Sequence, residues 1–229
     1  MKSYEGVGTP GYSFEFTGGH VAVDFANTVG NRNTSSPVEL LPAYASLASW
    51  AEQAKLLTWG AAARLKQDAA RRPADAEVSR IRALALRDAL FLIFTALATG
   101  RPAPPEPLAV LNAFLAEALG RRRVRRQGRR LVWGRADEGS LDSVFWPIAE
   151  AAADLTTSPR RMRVKRCAAE DCRWLLLDTS RNQRRRWCDM TLCGNRAKNR
   201  RYYHRQKGST GSAAPRRAGR ARAASFPSS

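Results

Sequence analysis

Apolar residues recur at helical spacing through most of the first two thirds of the chain. Leu47, Trp50, Ala51, Ala54 and Leu57 fall at the intervals of one helix face. Val78, Ile81, Leu84, Ala85 and Leu92 mark a long helix that stops at Gly100, before the proline-rich turn from Pro102 to Pro107. Leu108 to Leu119 continues as another helix. Leu141 to Leu155 forms a further one, opened by Ser140 and disturbed by Pro147. Two stretches break the rhythm. Phe14 to Phe25 alternates loosely around Gly18 and Gly19, which predicts a short β-hairpin or a strand and turn. Arg121 to Trp133, with Val124, Gly128 and Leu131, predicts a two-stranded hairpin with seven arginines between Arg121 and Arg130. That hairpin adds a second phosphate contact beside the basic C-terminal segment or is a solvated connection. No internal repeat of solenoid length is evident.

Beyond residue 158 the pattern changes, and the four cysteines of the chain appear: Cys167, Cys172, Cys188 and Cys193. Two Cys-x4-Cys pairs form a zinc pattern, because Zn²⁺ prefers four soft ligands in a tetrahedron and two short loops can each pinch two thiolates onto one ion. The spacer between the pairs is expected to fold as a hairpin. Two disulfides or four unrelated thiols are the alternatives. Met1 to Phe16 lacks an apolar signal-peptide core and no run of apolar residues is long enough to span a bilayer. The expectation is therefore a cytoplasmic chain with reduced thiols and one structural Zn²⁺. Four thiolates leave no open position for a catalytic water. A segment this short buries too little apolar surface to fold alone, so metal binding becomes its folding energy.

Charge is concentrated in the same segment. The chain carries a net charge of +19, of which residues 160–207 account for +12 and residues 1–158 for only +3. Arginine outnumbers lysine thirteen to three in the basic window, and arginine suits bidentate contacts with phosphates and guanine edges. Nucleic acid, with duplex DNA ahead of RNA, is the expected partner. A solvated basic face is the bland alternative. From Thr191 the sequence is rich in helix formers and ends on Gly208, so Cys193 sits near the start of a candidate recognition helix. Arg196, Arg200 and Tyr203 lie on one stripe of it, and Lys198, Arg201 and Arg205 on the next. Trp174, Leu175, Leu176, Leu177 and Trp187 are the expected mini-core of the zinc module.

Two motifs carry a family resemblance. Cys193-Gly194-Asn195-Arg196, preceded by Asp178-Thr179-Ser180-Arg181-Asn182 and Arg185-Arg186-Trp187-Cys188-Asp189-Met190, resembles the CGNR zinc finger. Gly18 to Val29, GGHVAVDFANTV, resembles the opening of the ABATE domain that precedes such fingers. The resemblance implies a bacterial stress-related or ligand-responsive transcription regulator. It also implies that the four cysteines are the zinc ligands. Within the motif, Gly194 permits close backbone approach. Asn195 donates to a cysteine sulfur or caps the helix, and Arg196 projects outward to phosphate. Arg181, Arg184, Arg185 and Arg186 are further phosphate candidates. The last three are adjacent, so they cannot share one face.

The expected architecture is mainly α, within the α+β class. A helical sensor or dimerisation domain with small β-hairpins spans 1–158, a Zn(Cys)₄ finger of a β-hairpin plus helix spans 162–207, and a disordered basic tail follows over 208–229. His20, Asp24, Asn27, Arg32 and Arg87 gather polar groups in apolar surroundings. They either line a small-ligand pocket or hydrogen-bond the first segment to the helices. A homodimer is compatible with the small footprint of one finger. With two histidines and no nucleophile or phosphate-loop motif, the chain is not expected to be an enzyme. An RNA-binding or ribosome-associated zinc protein is the alternative function.

Overall fold

The computed structural model describes residues 4–137, 139–200 and 202. It is mostly helical with three small antiparallel hairpins. The first helix, α1 (Val21–Ala26), is short and buried. It replaces the hairpin that the alternation of Phe14 to Phe25 predicts, because Ala22, Val23, Phe25 and Ala26 are all enclosed by other elements and both faces are apolar. β1 (Val29–Gly30) and β2 (Val38–Glu39) pair after it. α2 (Tyr44–Gln53) and α3 (Trp59–Arg71) follow, the latter capped by the Thr58 hydroxyl, which accepts from the Ala61 amide.

α4 (Pro73–Ala98) is the long central helix, and Gly100 at φ +66° ends it. Its buried face is Ala83, Leu86, Leu90, Ile93 and Phe94. Val78, Ile81 and Leu92, which mark the helix in the sequence, lie exposed on its other side. α5 (Pro105–Gly120) returns along α4 and leads into a hairpin of β3 (Arg122–Gln127) and β4 (Arg130–Arg135). A 3₁₀ turn (Leu141–Val144), capped by Ser140, precedes α6 (Trp146–Thr157), so Pro147 stands in the first turn of a helix where its missing N–H costs nothing. Phe25, Trp50, Phe94, Phe145 and Trp146 form the aromatic centre of the core.

The last hairpin, β5 (Val164–Arg166) with β6 (Leu175–Leu177), begins the cysteine segment. It does not form an independent core. One continuous apolar cluster runs from Phe14 through the helices to Trp174, Leu175, Leu176, Leu177 and the four cysteines. The Gly18–Val29 segment makes the junction. Asn27 Nδ2 donates to the Leu175 carbonyl at 2.8 Å, and the Leu175 amide donates to Asn27 Oδ1 at 2.9 Å. The Leu177 amide donates to the Gly18 carbonyl at 2.7 Å, and Trp174 Nε1 to the Val29 carbonyl at 3.0 Å. Both glycines of the segment have steric reasons. A Cβ on Gly18 would approach Asp24 Oδ1 to 2.8 Å, and one on Gly19, at φ +76°, would meet the Leu177 carbonyl at 2.9 Å.

Asp24 is buried beneath this junction, where its Oδ1 accepts from the Gly18 amide at 2.6 Å. Burial pushes its carboxyl up to about 7, against smaller downward pulls from the Gly18 bond and the Arg185 charge. The unfolded chain holds this group near the ordinary value of about 4. Between about 4 and 7 the folded state therefore binds the extra proton, and stability falls as pH rises through that window. Asp24→Asn removes the charge and keeps an acceptor for Gly18. It should be more stable than the parent at pH 8, by an amount on the order of a few kcal/mol, and the gain should shrink towards pH 5.5. Urea melts at both values check this; a difference that does not change with pH would contradict it.

A four-cysteine centre and its basic surroundings

The ladder of β5 and β6 sets the first half of the centre. The Cys167 amide donates to the Trp174 carbonyl at 2.7 Å, which extends the ladder one step and closes the loop that carries Cys167 and Cys172. Arg173 turns this loop at φ +56°. The second half comes from residues 178–194, which contain no strand. The hairpin expected in the cysteine spacer therefore lies earlier, with the first cysteine pair in its turn. Asp189 positions Cys193: its Oδ1 accepts from the Leu192 amide at 2.8 Å and its carbonyl from the Cys193 amide at 3.0 Å. A π-helical turn (Met190–Gly194) results, and helix continues over 195–200. Gly194 lets the Met190 thioether lie against the backbone there, where a Cβ would displace that side chain. The Ala168 amide ties the halves together by donating to the Arg186 carbonyl at 2.8 Å.

All four cysteines are buried and free of disulfides, and their sulfurs lie within 4.8 Å of one another. Cys172 and Cys188 Sγ are 3.5 Å apart, and Cys188 and Cys193 Sγ 3.6 Å. A tetrahedron with Zn–S bonds of about 2.3 Å has edges of about 3.8 Å, so the set fits one zinc ion. The surroundings complete the fit. The Cys188 amide points at Cys167 Sγ at 3.5 Å, and Arg196 Nη2 donates to Cys193 Sγ at 3.3 Å while its Nη1 pairs with Asp171 at 3.0 Å. These donors stabilise thiolate charge and orient the ligands. Arg196 thus takes the sulfur contact expected of Asn195, whose side chain is exposed, and does not project outward.

Residues 19–159 match the family model of the ABATE domain, described as a putative stress-induced transcription regulator, and residues 163–206 match that of the CGNR zinc finger. The chain belongs to the ABATE family. No curated protein matches it. Its CGNR finger is able to hold one zinc ion in the four-cysteine centre.

In this ABATE protein the arginines around the zinc centre divide into two groups. Arg185 turns inward: its Nη2 donates to the carbonyls of Thr17 and Cys188, both at 2.5 Å, and its Nε to that of Trp187 at 3.1 Å. Arg200 pairs with Glu170. Arg181, Arg184, Arg186 and Lys198 are exposed and have no acidic partner among the described residues. Arg184, Arg185 and Arg186 also line, with Lys165, Arg166, Ala98 and Thr99, a shallow concavity of about 590 Å³ at the end of α4. Arg201 and Arg205, with Tyr203 and the tail, lie outside the described residues. Asp178 is buried and bonds within the finger. Burial raises its pKa, but Lys165 at 2.7 Å and the Ser180 and Arg185 amides together overcome that and hold it well below the carboxylate range.

The candidate pocket residues fall into two separate groups. Asp24 and Asn27 belong to the junction described above, and His20, half-buried at the start of α1, is pushed to a lower pKa by burial and by Arg160. Arg87 is buried and bonds Glu39 at 2.7 Å and Asp88 at 3.1 Å. Arg32 pairs with Asp88 at 3.3 Å and stacks over Phe91 at 4.0 Å. These contacts make both arginines internal ties between α4, β2 and the loop after β1. Sequence reasoning missed the inward clamp of Arg185 and the cap at Asp189. The latter is visible as an Asp directly before a helical turn.

The sulfur contact of Arg196 makes a prediction. Arg196→Ala should lower zinc affinity by roughly 10- to 100-fold while Arg184→Ala leaves it unchanged. Competition with a chromophoric chelator measures both; equal affinities in the two variants would contradict the assignment.

Proposed function

We propose that this protein is a DNA-binding transcription regulator, without catalytic activity, in which a structural zinc ion holds the contact surface. The observation that carries the reading is the set of exposed cations Arg181, Arg184, Arg186 and Lys198 on the finger, which have no acidic partner among the described residues. Arg185 and Arg196 are consumed by the zinc centre and its junction, whereas these four keep their charge towards solvent, Arg186 while stacking over Trp187 at 5.3 Å. Unpaired arginines on a rigid module are the usual footprint of phosphate contact. The concavity formed by Lys165, Arg166 and Arg184 beside α4 is suited to a phosphate group. The family description supports the regulator role.

Regulation in this reading passes through the junction. A ligand or stress signal that displaced Gly18 or Asn27 would shift β6, and with it the loop that carries the first two cysteines.

The test is a salt-dependent titration of the zinc-loaded protein against fragmented genomic DNA and total RNA. Retention of duplex DNA is expected. The variant Arg184→Ala, Arg186→Ala, Lys198→Ala should keep its zinc, lose roughly tenfold or more in affinity, and lower the salt slope by about 1 per removed cation. Retention of RNA alone, or an unchanged slope in the variant, would overturn the reading.

A further inference from the structure

A second cluster of positive charge lies away from the finger. β3 and β4 pair over their full length, with Arg122 opposite Arg135, Val124 opposite Trp133 and Arg126 opposite Leu131. Residues directly opposite share a face, so one face of the ribbon interleaves arginine with valine, leucine and tryptophan. All of β3 and residues 130–133 of β4 are exposed. Val124, Leu131 and Trp133 are 61%, 74% and 67% exposed, an unusual cost for a ribbon that is marginal in water by itself. The base is tied down. Arg122 and Arg135 bond the two oxygens of Glu150 at 2.8 and 2.6 Å, and Arg122 stacks over Trp133 at 5.2 Å. Nearer the tip, Arg126, Arg129 and Arg130 have no acidic partner among the described residues. Gly128, at φ +60°, turns the strand there. The base is anchored, while the tip holds apolar groups and unpaired cations in water.

We propose that this arm is a second DNA contact, laid into a groove of the same duplex that the finger binds; the inference rests on the DNA-binding reading above. The major groove of B-DNA admits a two-stranded ribbon. Within it Arg126, Arg129 and Arg130 meet phosphates, and Val124, Leu131 and Trp133 meet the apolar edges of bases such as the thymine methyl group. The deep, narrow major groove of an RNA duplex excludes such a ribbon. The spacing also suits DNA. The arm leaves the C-terminal end of α5, where Glu117 pairs with Arg82 of α4 at 2.5 Å, whereas the finger meets α4 at Ala98 and Thr99. From Arg82 to Thr99 the helix spans about 25 Å, and the ribbon adds a reach of up to about 20 Å. One turn of DNA is about 34–36 Å, so arm and finger can occupy successive turns without competing for one.

The test uses the full zinc-loaded chain, its triple variant Arg126→Ala, Arg129→Ala, Arg130→Ala, and the corresponding triple lysine variant. Each is titrated against DNA duplexes of about one and about three helical turns and against an RNA duplex of the longer length. The alanine variant should keep its zinc and its circular dichroism and bind the short duplex like the parent. On the long DNA duplex it should lose roughly tenfold or more, with a salt slope lower by about 3, and the lysine variant should retain the slope. Equal affinity and slope of parent and alanine variant on long DNA would overturn the arm while leaving the finger reading intact. An equal loss on both DNA lengths would overturn the spanning geometry, and a loss confined to RNA would overturn DNA as the arm's partner. Failure of the parent on every DNA duplex would overturn both readings together.

Discussion

The pairing of one buried amide with one strand of the finger fixes everything downstream of it. Asn27 presents both its donor and its acceptor to the backbone of Leu175, in a site sealed from water. Neither partner can be removed without leaving a buried backbone group unsatisfied, at about 1–3 kcal/mol each. With the Gly18 carbonyl on Leu177 and the Trp174 indole on Val29, this contact makes the Gly18–Val29 segment an extra edge for β6. The cysteine loops are thereby mounted on the helical core and not tethered beside it.

That mounting explains the distribution of charge. Four thiolates and one Zn²⁺ leave a net charge of about −2, and the nearest cation, Arg196, answers it at Cys193. Arg185 uses its guanidinium to bind carbonyls from both the N-terminal segment and the zinc loop. The charge on this side of the molecule thus has an inner layer that builds the centre and an outer layer that faces solvent. The arm of β3 and β4 repeats the same division, with Glu150 holding its inner arginines.

Much of this was legible in the sequence, for physical reasons. The zinc ligands were, because two pairs of soft ligands at short spacing fit the geometry of one tetrahedral ion. The basic hairpin was, because Gly128 between two arginine-rich runs permits a tight turn. The long helix was recognised through Val78, Ile81 and Leu92, yet those side chains face water and the core is built from Ala83, Leu86, Leu90 and Ile93. In an alanine- and leucine-rich helix both faces carry a periodic apolar signal, so periodicity finds the helix without finding its inside. Asn27 and Asp24 read as internal ties ahead of ligand groups, but what they tie to depends on what packs opposite them. The strand opposite is 148 residues away along the chain, and no local pattern encodes that. The adjacent Arg184, Arg185 and Arg186 could be known to diverge, but not which one turns inward.

The zinc centre and the helical domain share the Asn27 junction, so they should fold as one unit. Hydrogen exchange of the zinc-loaded and chelator-treated protein tests it most directly, read at the amides of α1 and at Leu175 and Leu177. Removing zinc should accelerate exchange in α1 and β6 together. Fast exchange in β6 with α1 fully protected would show two independent modules and contradict it.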